Sequence, residues 1–462
     1  MQLLSRSSWN RFPIPFVGLV IVLLVSLASH TSSSTEQEKS SLLQFLAGLS
    51  RDGGLTVSWR HNTDYCTWKG ITCNQDRKVT DVLLASQGLE GFISPFLGNL
   101  TGLLHLNLSR NSLSGGLPLK LVSSSSILVI DVSFNRLTGG LSELPSSTPP
   151  RPLQGLSNCS VLKLLSVGYN NLSGYLPDEL FNVSSLEHLS LHSNWLEGDL
   201  NGISKLINLV TLDLGGNEFI GNIPESIGDL KKLQELHLDH NNMSGELPTA
   251  LSNCTNLVTI DLKSNHFSGK LTKILRSSRS LTILYIGFNF LHEIMPEDDS
   301  IDGFENLQVS NLHLLFHLDI SNNSLTGEIP SALMEMPMLE SDKTAPKVFF
   351  ELPVWNKNTF MQYLMLSAFP KVLNLAINNF TGVIPEEIGQ LKGLVALNLS
   401  SNELSGEIPQ AICNLRNLQV LDLSINHLTG VIPAALNNLN FLSEFDISNN
   451  DLEGPIPTGG AA

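Results

Sequence analysis

The sequence predicts an α/β-type solenoid, a right-handed superhelix of about 14 stacked repeats whose parallel strands line a concave face. Nine of 13 intervals between equivalent polar residues are 24 residues long, and the leucine pattern L-x-x-L-x-L-x-x-N-x-L surrounds each copy. The equivalent positions are Gln87, Asn111, Asn135, Asn170, Asn194, Asn217, Asn241, Asn265, Asn289, Asn323, Asn378, Asn402, Asn426 and Asn450.

One copy, residues 394–417, shows why the repeats must stack. Its leucines point to one side of a short strand, and Asn402 follows where the chain leaves that strand. We expect the Asn402 amide to bond the backbone of the turn and of the neighbouring coil. Gly406 permits a turn that a Cβ would obstruct, and Ile408-Pro409 suits a short second strand at an edge. A single copy cannot bury its own apolar face.

Residues 1–33 are predicted to be a secretory signal peptide. Arg6 and Arg11 precede the apolar run 16–28, and a Ser/Thr-rich stretch follows. An uncleaved signal anchor is the alternative, although the run is short for a spanning helix. We expect the chain to enter the secretory pathway and to be extracellular. The net charge of −16 argues against nucleic acid as a partner.

Ten N-x-[ST] sequons fit that compartment. Glycans on Asn107 or Asn398 would lie on the concave face and exclude a ligand there. The sequons are Asn99, Asn107, Asn158, Asn171, Asn182, Asn242, Asn253, Asn322, Asn379 and Asn398.

Residues 34–78 are predicted to cap the solenoid, beginning with an amphipathic helix over 36–49. Cys66 and Cys73 are expected to form a disulfide, while zinc binding is disfavoured because no second ligand pair lies nearby. The other cysteines occupy one repeat position and are predicted to be small buried apolar residues: Cys159, Cys254 and Cys413.

The cap motif W…C-x-W-x-G-I-T-C, followed by repeats of the form L-S-G-x-I-P, resembles the extracellular domains of plant leucine-rich-repeat receptors. The repeats occupy 79–339 and 371–462. The resemblance implies a C-terminal cysteine cap, a membrane helix and a kinase, none of which is in the sequence. We therefore expect no enzyme activity and no cofactor. The location is the apoplast, or the plasma membrane if a longer form carries a membrane helix or the signal segment stays uncleaved.

An insertion at 340–370 interrupts the repeats and is rich in aromatic residues, in a chain that is 6% aromatic. Loops this long in a compact domain are usually functional or disordered. We interpret it as an island that folds over the concave face to form a ligand site. The alternative is a structural insertion that packs its aromatic side chains on the solenoid flank. A second irregularity, at 300–316, resembles two repeats fused across a deletion.

The cap, the repeats and the single island together resemble the phytosulfokine and tyrosine-sulfated glycopeptide receptors. The resemblance implies a small secreted, tyrosine-sulfated peptide as ligand and a leucine-rich-repeat ectodomain as co-receptor. It implies ligand contacts from the island residues Phe349, Phe350, Trp355 and Asn358. On the adjacent strands it implies contacts from His317, Asp319, Ser321, Asn374, Ala376, Asn398 and Ser400.

Two sets of polar residues are candidate chemical sites. His188, His192, His237 and His240 lie in repeats five and seven, about 9–10 Å apart across two strand spacings, so a shared metal ion is not expected. The recurrent L-D-L aspartates are interpreted as structural parts of the repeat rather than as paired catalytic carboxylates. They are Asp131, Asp213, Asp261, Asp319, Asp422 and Asp446.

The sequence therefore predicts an extracellular, non-catalytic, peptide-binding receptor-like protein in cell-surface signalling or defence. A secreted leucine-rich-repeat inhibitor of wall-degrading enzymes is the second hypothesis, although such inhibitors carry no island and end in a cysteine cap. A decoy, or a truncated gene product without its own function, is the third.

Overall fold

The computed structural model describes residues 36–122, 124–141, 161–271, 280–292, 313–340, 352–356, 359–363 and 370–455. The predicted signal peptide, the irregular segment before residue 313 and most of the island lie outside these ranges, as do Cys159 and Asn158. Across the described ranges, no helix combines the length and apolar character needed to span a bilayer.

A long sheet of 15 strands runs through the described chain. Its first strand is antiparallel to the second, and each later strand is parallel to that of the next repeat, as the solenoid prediction requires. The strands are Ile71–Cys73, Val79–Leu83, His105–Asn107, Val129–Asp131, Leu164–Ser166, His188–Ser190, Thr211–Asp213, Glu235–His237, Thr259–Asp261, Ile283–Tyr285, His317–Asp319, Val372–Asn374, Ala396–Asn398, Val420–Asp422 and Glu444–Asp446.

A second strand in each repeat builds a flanking layer, divided into sheets of ten, two and three strands. The ten-stranded sheet contains Leu49–Arg51, Glu90–Phe92, Ser112–Gly115, Arg136–Gly139, Asn171–Tyr175, Trp195–Gly198, Glu218–Gly221, Asn242–Glu246, His266–Gly269 and Phe290–Leu291. The two smaller sheets contain Thr326–Glu328 with Asn379–Thr381, and Ser405–Glu407 with His427–Val431 and Asp451–Glu453.

Short 3-10 helices close most repeats on the remaining side. Many begin directly after a proline, for which the missing N–H costs nothing at a helix start. They are Pro95–Asn99, Asp178–Asn182, Ile203–Lys205, Glu225–Asp229, Thr249–Asn253, Ser331–Glu335, Glu386–Gln390, Gln410–Asn414 and Ala434–Asn438. Short α-helices span Leu119–Val122 and Pro337–Glu340.

This arrangement corrects the prediction of a second strand at Ile408-Pro409. The second strand of that repeat is Ser405–Glu407, and Pro409 is the N-cap of the following 3-10 helix. Pro409 is itself extended, with φ −61° and ψ 135°, but it has no N–H to donate to a strand ladder, so the second strand ends before it and the helix begins at Gln410. Gly406 has φ +74°, and a Cβ on it would lie 2.9 Å from Val383 Cγ1, so glycine is required as predicted.

The core is one continuous apolar cluster that runs from the cap to the last repeats. Leucines of the strand and turn fill it, and phenylalanines such as Phe219, Phe267 and Phe380 are completely buried. Because each repeat contacts only its neighbours, the stability of one repeat depends on its interfaces with the adjacent repeats. In the final described repeat Phe445 is 40% exposed, whereas its neighbour Leu421 is fully buried.

The repeat asparagines bond the backbone of two repeats, as predicted. Asn402 Nδ2 donates to the carbonyls of Leu375, Leu399 and Ser400 at 3.1–3.2 Å, and its Oδ1 accepts from the Phe380 N–H at 3.0 Å. The equivalent Oδ1 bond occurs at Asn111, Asn135, Asn170, Asn194, Asn217, Asn241, Asn265, Asn289, Asn323, Asn378, Asn426 and Asn450. These bonds satisfy buried peptide groups that neither sheet pairs.

The N-terminal cap begins with a helix over 36–47. The Cys66–Cys73 disulfide is present, as predicted, and the rings of Trp59 and Trp68 stack beside it with centroids 5.3 Å apart. Glu38 is buried and accepts a hydrogen bond from the Val79 N–H at 2.6 Å, which anchors the helix to the first strand of the repeats. The cap therefore covers the apolar end of the solenoid.

Candidate functional site

The solvent-facing side of the long sheet, which we call the strand face, repeats three positions in each copy. The last residue of each strand forms a first row, whose members pair directly in register: Asn107, Asp131, Ser166, Ser190, Asp213, His237, Asp261, Tyr285, Asp319, Asn374, Asn398, Asp422 and Asp446. Two residues later, on the same side, a second row reads Ser109, Ser133, Gly168, His192, Gly215, Asp239, Lys263, Gly287, Ser321, Ala376, Ser400, Ser424 and Ser448.

Many first-row side chains are tied to the turn that follows them. Asp422 Oδ1 accepts hydrogen bonds from the Ser424 N–H at 3.0 Å and from the Ser424 hydroxyl at 2.7 Å. The same pair of bonds forms at Asn107, Asp131, Asp319 and Asn398. The structural interpretation fits Asp131, Asp319 and Asp422, because one carboxylate oxygen in each accepts from a backbone N–H and from the hydroxyl of the serine that follows.

Six consecutive repeats in the middle of the strand face lack that serine. The second-row side chains there lean over glycines of the preceding repeat. A Cβ on Gly215 would lie 2.4 Å from Asp239 Oδ1, and one on Gly168 would lie 2.5 Å from His192 Cδ2. A side chain at either position would therefore require Asp239 or His192 to move. The first-row carboxylates of these repeats, Asp213 and Asp261, therefore receive no hydroxyl bond from the residue two positions later.

A mixed cluster lies at this centre. His237, Asp239 and Asp261 each offer one nitrogen or oxygen atom, and these atoms all lie within 4.8 Å of one another. Burial lowers the pKa of His237, which favours the neutral imidazole. Burial, together with the nearby Asp239 carboxylate, raises the pKa of Asp261 to about 7. Burial and the Asp261 charge also raise the pKa of the adjacent Tyr285 to about 12.

The spacing of the repeats predicts no shared metal ion for His237 and the other histidines. Repeats five and seven are second neighbours in the sheet, so His192 and His237 are separated by the strand that ends at Asp213. The partners that the structure brings to His237 are carboxylates instead. Asp261 could have been paired with His237 from the repeat register alone, but Asp239 stands where most repeats have Ser, Gly or Ala, and it was missed.

A series of aromatic and cationic side chains extends along the third row, which directly follows the second. The Arg110 guanidinium lies 4.5 Å from the Phe134 ring centroid, and Phe134 stacks on Tyr169 at 4.1 Å. Tyr169 then meets the second-row His192 ring edge-on at 4.1 Å. Phe134 and Tyr169 are 37% and 44% exposed. Four repeats thus present a continuous π surface, which we call the aromatic series.

The repeat pattern alone did not predict the aromatic series, although the sequence carries a signal for it. Third-row residues directly precede the repeat asparagine and have left-handed backbone, with φ between 49° and 57° at the non-glycine positions from Ser86 onward. Large apolar residues are unusual in that conformation. A large apolar residue directly before the repeat asparagine is therefore not explained by the turn and indicates another role. Such dipeptides are Phe134-Asn135, Tyr169-Asn170 and Phe288-Asn289.

The predicted strand contacts lie on consecutive strands of the long sheet, as expected from their spacing. His317, Asp319, Ser321 and Ser400 are each less than a tenth exposed. His317 Nδ1 lies 3.1 Å from the Pro370 carbonyl oxygen, where the chain returns from the island. Asn374 Oδ1 accepts from the Ala376 N–H at 3.2 Å, and the Asn398 side chain bonds Ser400 as described above. Ligand contact by these residues stays a prediction.

The island is described only over Leu352–Asn356 and Thr359–Tyr363, which pair as an antiparallel hairpin with Trp355 opposite Phe360. Phe349, Phe350 and Asn358 lie outside the described residues. The hairpin shows that part of the insertion has regular secondary structure. Its role in ligand binding stays a prediction.

Three repeat-family models match the chain. A leucine-rich-repeat N-terminal domain matches residues 35–74, a leucine-rich-repeat region matches 142–368, and single leucine-rich repeats match 393–415 and 417–439. The chain therefore carries a leucine-rich-repeat N-terminal domain followed by leucine-rich repeats.

Among curated relatives, phytosulfokine receptor 1 of Arabidopsis thaliana is 28% identical over 218 residues, covering 37% of this leucine-rich-repeat chain and 22% of the receptor. Protein BRASSINOSTEROID INSENSITIVE 1 of the same plant is 34% identical over 180 residues, covering 38% and 14%. The matched segments thus span less than a quarter of each relative.

Among solved structures, a TDR receptor superposes with a TM-score of 0.60 at 28% identity, over 82% of this chain and 61% of that one. The plant peptide hormone receptor RGFR1, solved in complex with RGF2, gives 0.50 at 25% identity, over 84% and 72%. The recognised resemblance to plant leucine-rich-repeat receptor ectodomains is therefore confirmed.

Proposed function

We propose that this leucine-rich-repeat chain is an extracellular, receptor-like protein that binds a secreted peptide on its strand face, in cell-surface signalling. The observation that carries the proposal is the exposed aromatic series, which runs beside an unusual polar centre on an otherwise regular sheet. A structural neighbour is a peptide hormone receptor in complex with its ligand, and phytosulfokine receptors are among the relatives.

The arrangement suits an extended peptide. Phe134 and Tyr169 offer flat apolar surfaces, and aromatic side chains dominate the binding energy of many interfaces. Asp213, Asp239 and Asp261 make the adjacent centre acidic, which disfavours an anionic group there. A sulfated tyrosine would therefore contact the ligand site away from this centre, on the island.

In this proposal the island covers part of the bound peptide, and a second leucine-rich-repeat ectodomain binds after the peptide does. The island hairpin supports the covering of the peptide by the island, because a preformed strand pair loses little conformational entropy on binding. The binding of a second ectodomain is proposed from the resemblance to the receptors.

The test is calorimetric titration of the secreted full-length chain with a synthetic tyrosine-sulfated peptide and its unsulfated counterpart. We expect Tyr169→Ala and Trp355→Ala to weaken binding roughly tenfold or more, since single aromatic anchors are worth about 1–4 kcal/mol at interfaces. Trp195→Ala is the matched control, because Trp195 is an exposed aromatic residue on the flanking sheet. A wild-type chain that bound neither peptide, or equal losses in all three variants, would contradict the proposal.

A further inference from the structure

The cluster of His237, Asp239 and Asp261 has the composition of a metal-binding site rather than of a repeat turn. His237 and Asp261 stand directly opposite each other on neighbouring strands. Asp239 lies two residues after His237 and on the same face of the chain. All three side chains are partly buried, in the middle of the strand face.

In each of the two carboxylates one oxygen is hydrogen-bonded, which leaves the other oxygen available to a ligand. Asp261 Oδ1 accepts from the Lys263 N–H at 3.1 Å, and no serine hydroxyl follows it. Asp239 Oδ2 lies 2.9 Å from His240 Nδ1. Within the described ranges, the His237 ring makes no hydrogen bond. A partly buried imidazole without a partner therefore faces two oriented carboxylates.

Outer contacts of this kind are typical of metal ligands, whose orientation is fixed by hydrogen bonds from a surrounding shell. Gly215 contributes as well, because any larger residue there would displace the Asp239 carboxylate. By contrast, both donors of Ser424 engage one oxygen of Asp422 in a regular repeat. The cluster is thus built differently from the structural aspartates of the same row.

We propose that His237, Asp239 and Asp261 bind one divalent transition-metal ion, of the class that takes mixed imidazole and carboxylate ligands. Zinc has ligand bonds of about 2.0–2.2 Å, which place tetrahedral ligand atoms about 3.3 Å from each other. The ligand atoms lie within 4.8 Å here, so side-chain rotations of modest size would close the site. Ca²⁺ and Mg²⁺ prefer oxygen ligands alone and fit an imidazole less well.

A cationic side chain of a bound peptide is the competing occupant. A guanidinium presents five donors over a planar fork, which suits two parallel carboxylate oxygens better than a compact triangle that includes a ring nitrogen. The metal proposal also stands independently of the proposed peptide function, because the three ligands belong to this chain.

The experiment is isothermal titration of the EDTA-treated, dialysed full-length chain with ZnCl₂ and, separately, MnCl₂, without any peptide. We expect one saturable site for at least one of the ions. His237→Gln and Asp261→Asn are each expected to weaken it roughly tenfold or more, since even the loss of a group that orients a metal ligand costs about 10–100-fold in affinity. Circular dichroism of each variant checks that the fold is retained.

Two variants serve as controls. Asp422→Asn changes a carboxylate of the same row that is tied to Ser424, and His266→Gln removes an exposed histidine on the flanking sheet. Both should keep the wild-type affinity. The proposal is overturned if the wild-type chain shows no saturable site, if the cluster variants bind as the wild type does, or if the controls lose affinity equally. Failure of peptide binding would leave this result unchanged.

Discussion

Asn402 and Phe380 join two repeats by one hydrogen bond, from the Phe380 N–H to Asn402 Oδ1 at 3.0 Å. The Nδ2 atom of the same amide donates to three carbonyls. Removing the amide would leave a buried N–H and several carbonyls without partners, at about 1–3 kcal/mol for each unsatisfied group.

We therefore predict that Asn402→Ala lowers the free energy of unfolding by roughly 3 kcal/mol or more. Because stability in a solenoid is local, hydrogen exchange at the Phe380 amide should accelerate most. Asn440→Ala is the control, since Asn440 is exposed and outside the asparagine series. Equal protection of the Phe380 backbone amide in both variants would show that the Asn402 side chain contributes little to stability.

Ile425 has φ +54° and is 52% exposed. A β-branched side chain is strained in left-handed backbone, whereas asparagine tolerates it. Ile425→Asn is therefore predicted to stabilise the chain by about 0.5–1 kcal/mol, measured as a higher urea midpoint. Ile207→Asn, at a similarly exposed residue without positive φ, should not. A lower midpoint for Ile425→Asn would mean that the isoleucine makes packing contacts that outweigh the strain.

Cys254 is buried and its Sγ donates to the Ile227 carbonyl at 3.2 Å. Burial raises the pKa of its thiol to about 11, and burial also raises the pKa of the Cys413 thiol. Both should remain protonated and unreactive toward iodoacetamide at pH 8, because the thiolate is the nucleophile. Peptide mapping by mass spectrometry should find both alkylated only after denaturation. Rapid labelling of Cys254 in native protein would contradict its buried position.

The Cys66–Cys73 disulfide closes a short loop in the cap. Loop closure of this size is worth roughly 2.5 kcal/mol in the chain-entropy model. Replacing both cysteines by serine is predicted to increase exchange of the cap amides near Ile71, while amides near Leu421 keep their protection. Uniform loss of protection along the chain would show instead that the whole solenoid depends on the cap.

Much of the fold could be predicted from the sequence because each repeat makes the same contacts with its adjacent repeats. Leu397 and Asn402 have the same neighbours in space as in every other copy, so one copy predicts the environment of all. The second strand was misplaced by three residues, at Ile408-Pro409, since the sequence pattern alone does not show that proline starts a 3-10 helix there. Ligand contacts on the island remain predictions, because an insertion has no repeat to fix its position.

The sequence by itself determined the period, the core leucines, the asparagine series and the capping disulfide, because these depend on contacts between equivalent positions in adjacent repeats. Only the tertiary structure showed that Asp239 reaches His237 and Asp261, and that Phe134, Tyr169 and His192 stack. These side chains depart from the repeat pattern. Their partners depend on which way each side chain leans over its neighbour, and that direction is set by packing against glycines such as Gly168 and Gly215 rather than by spacing along the chain.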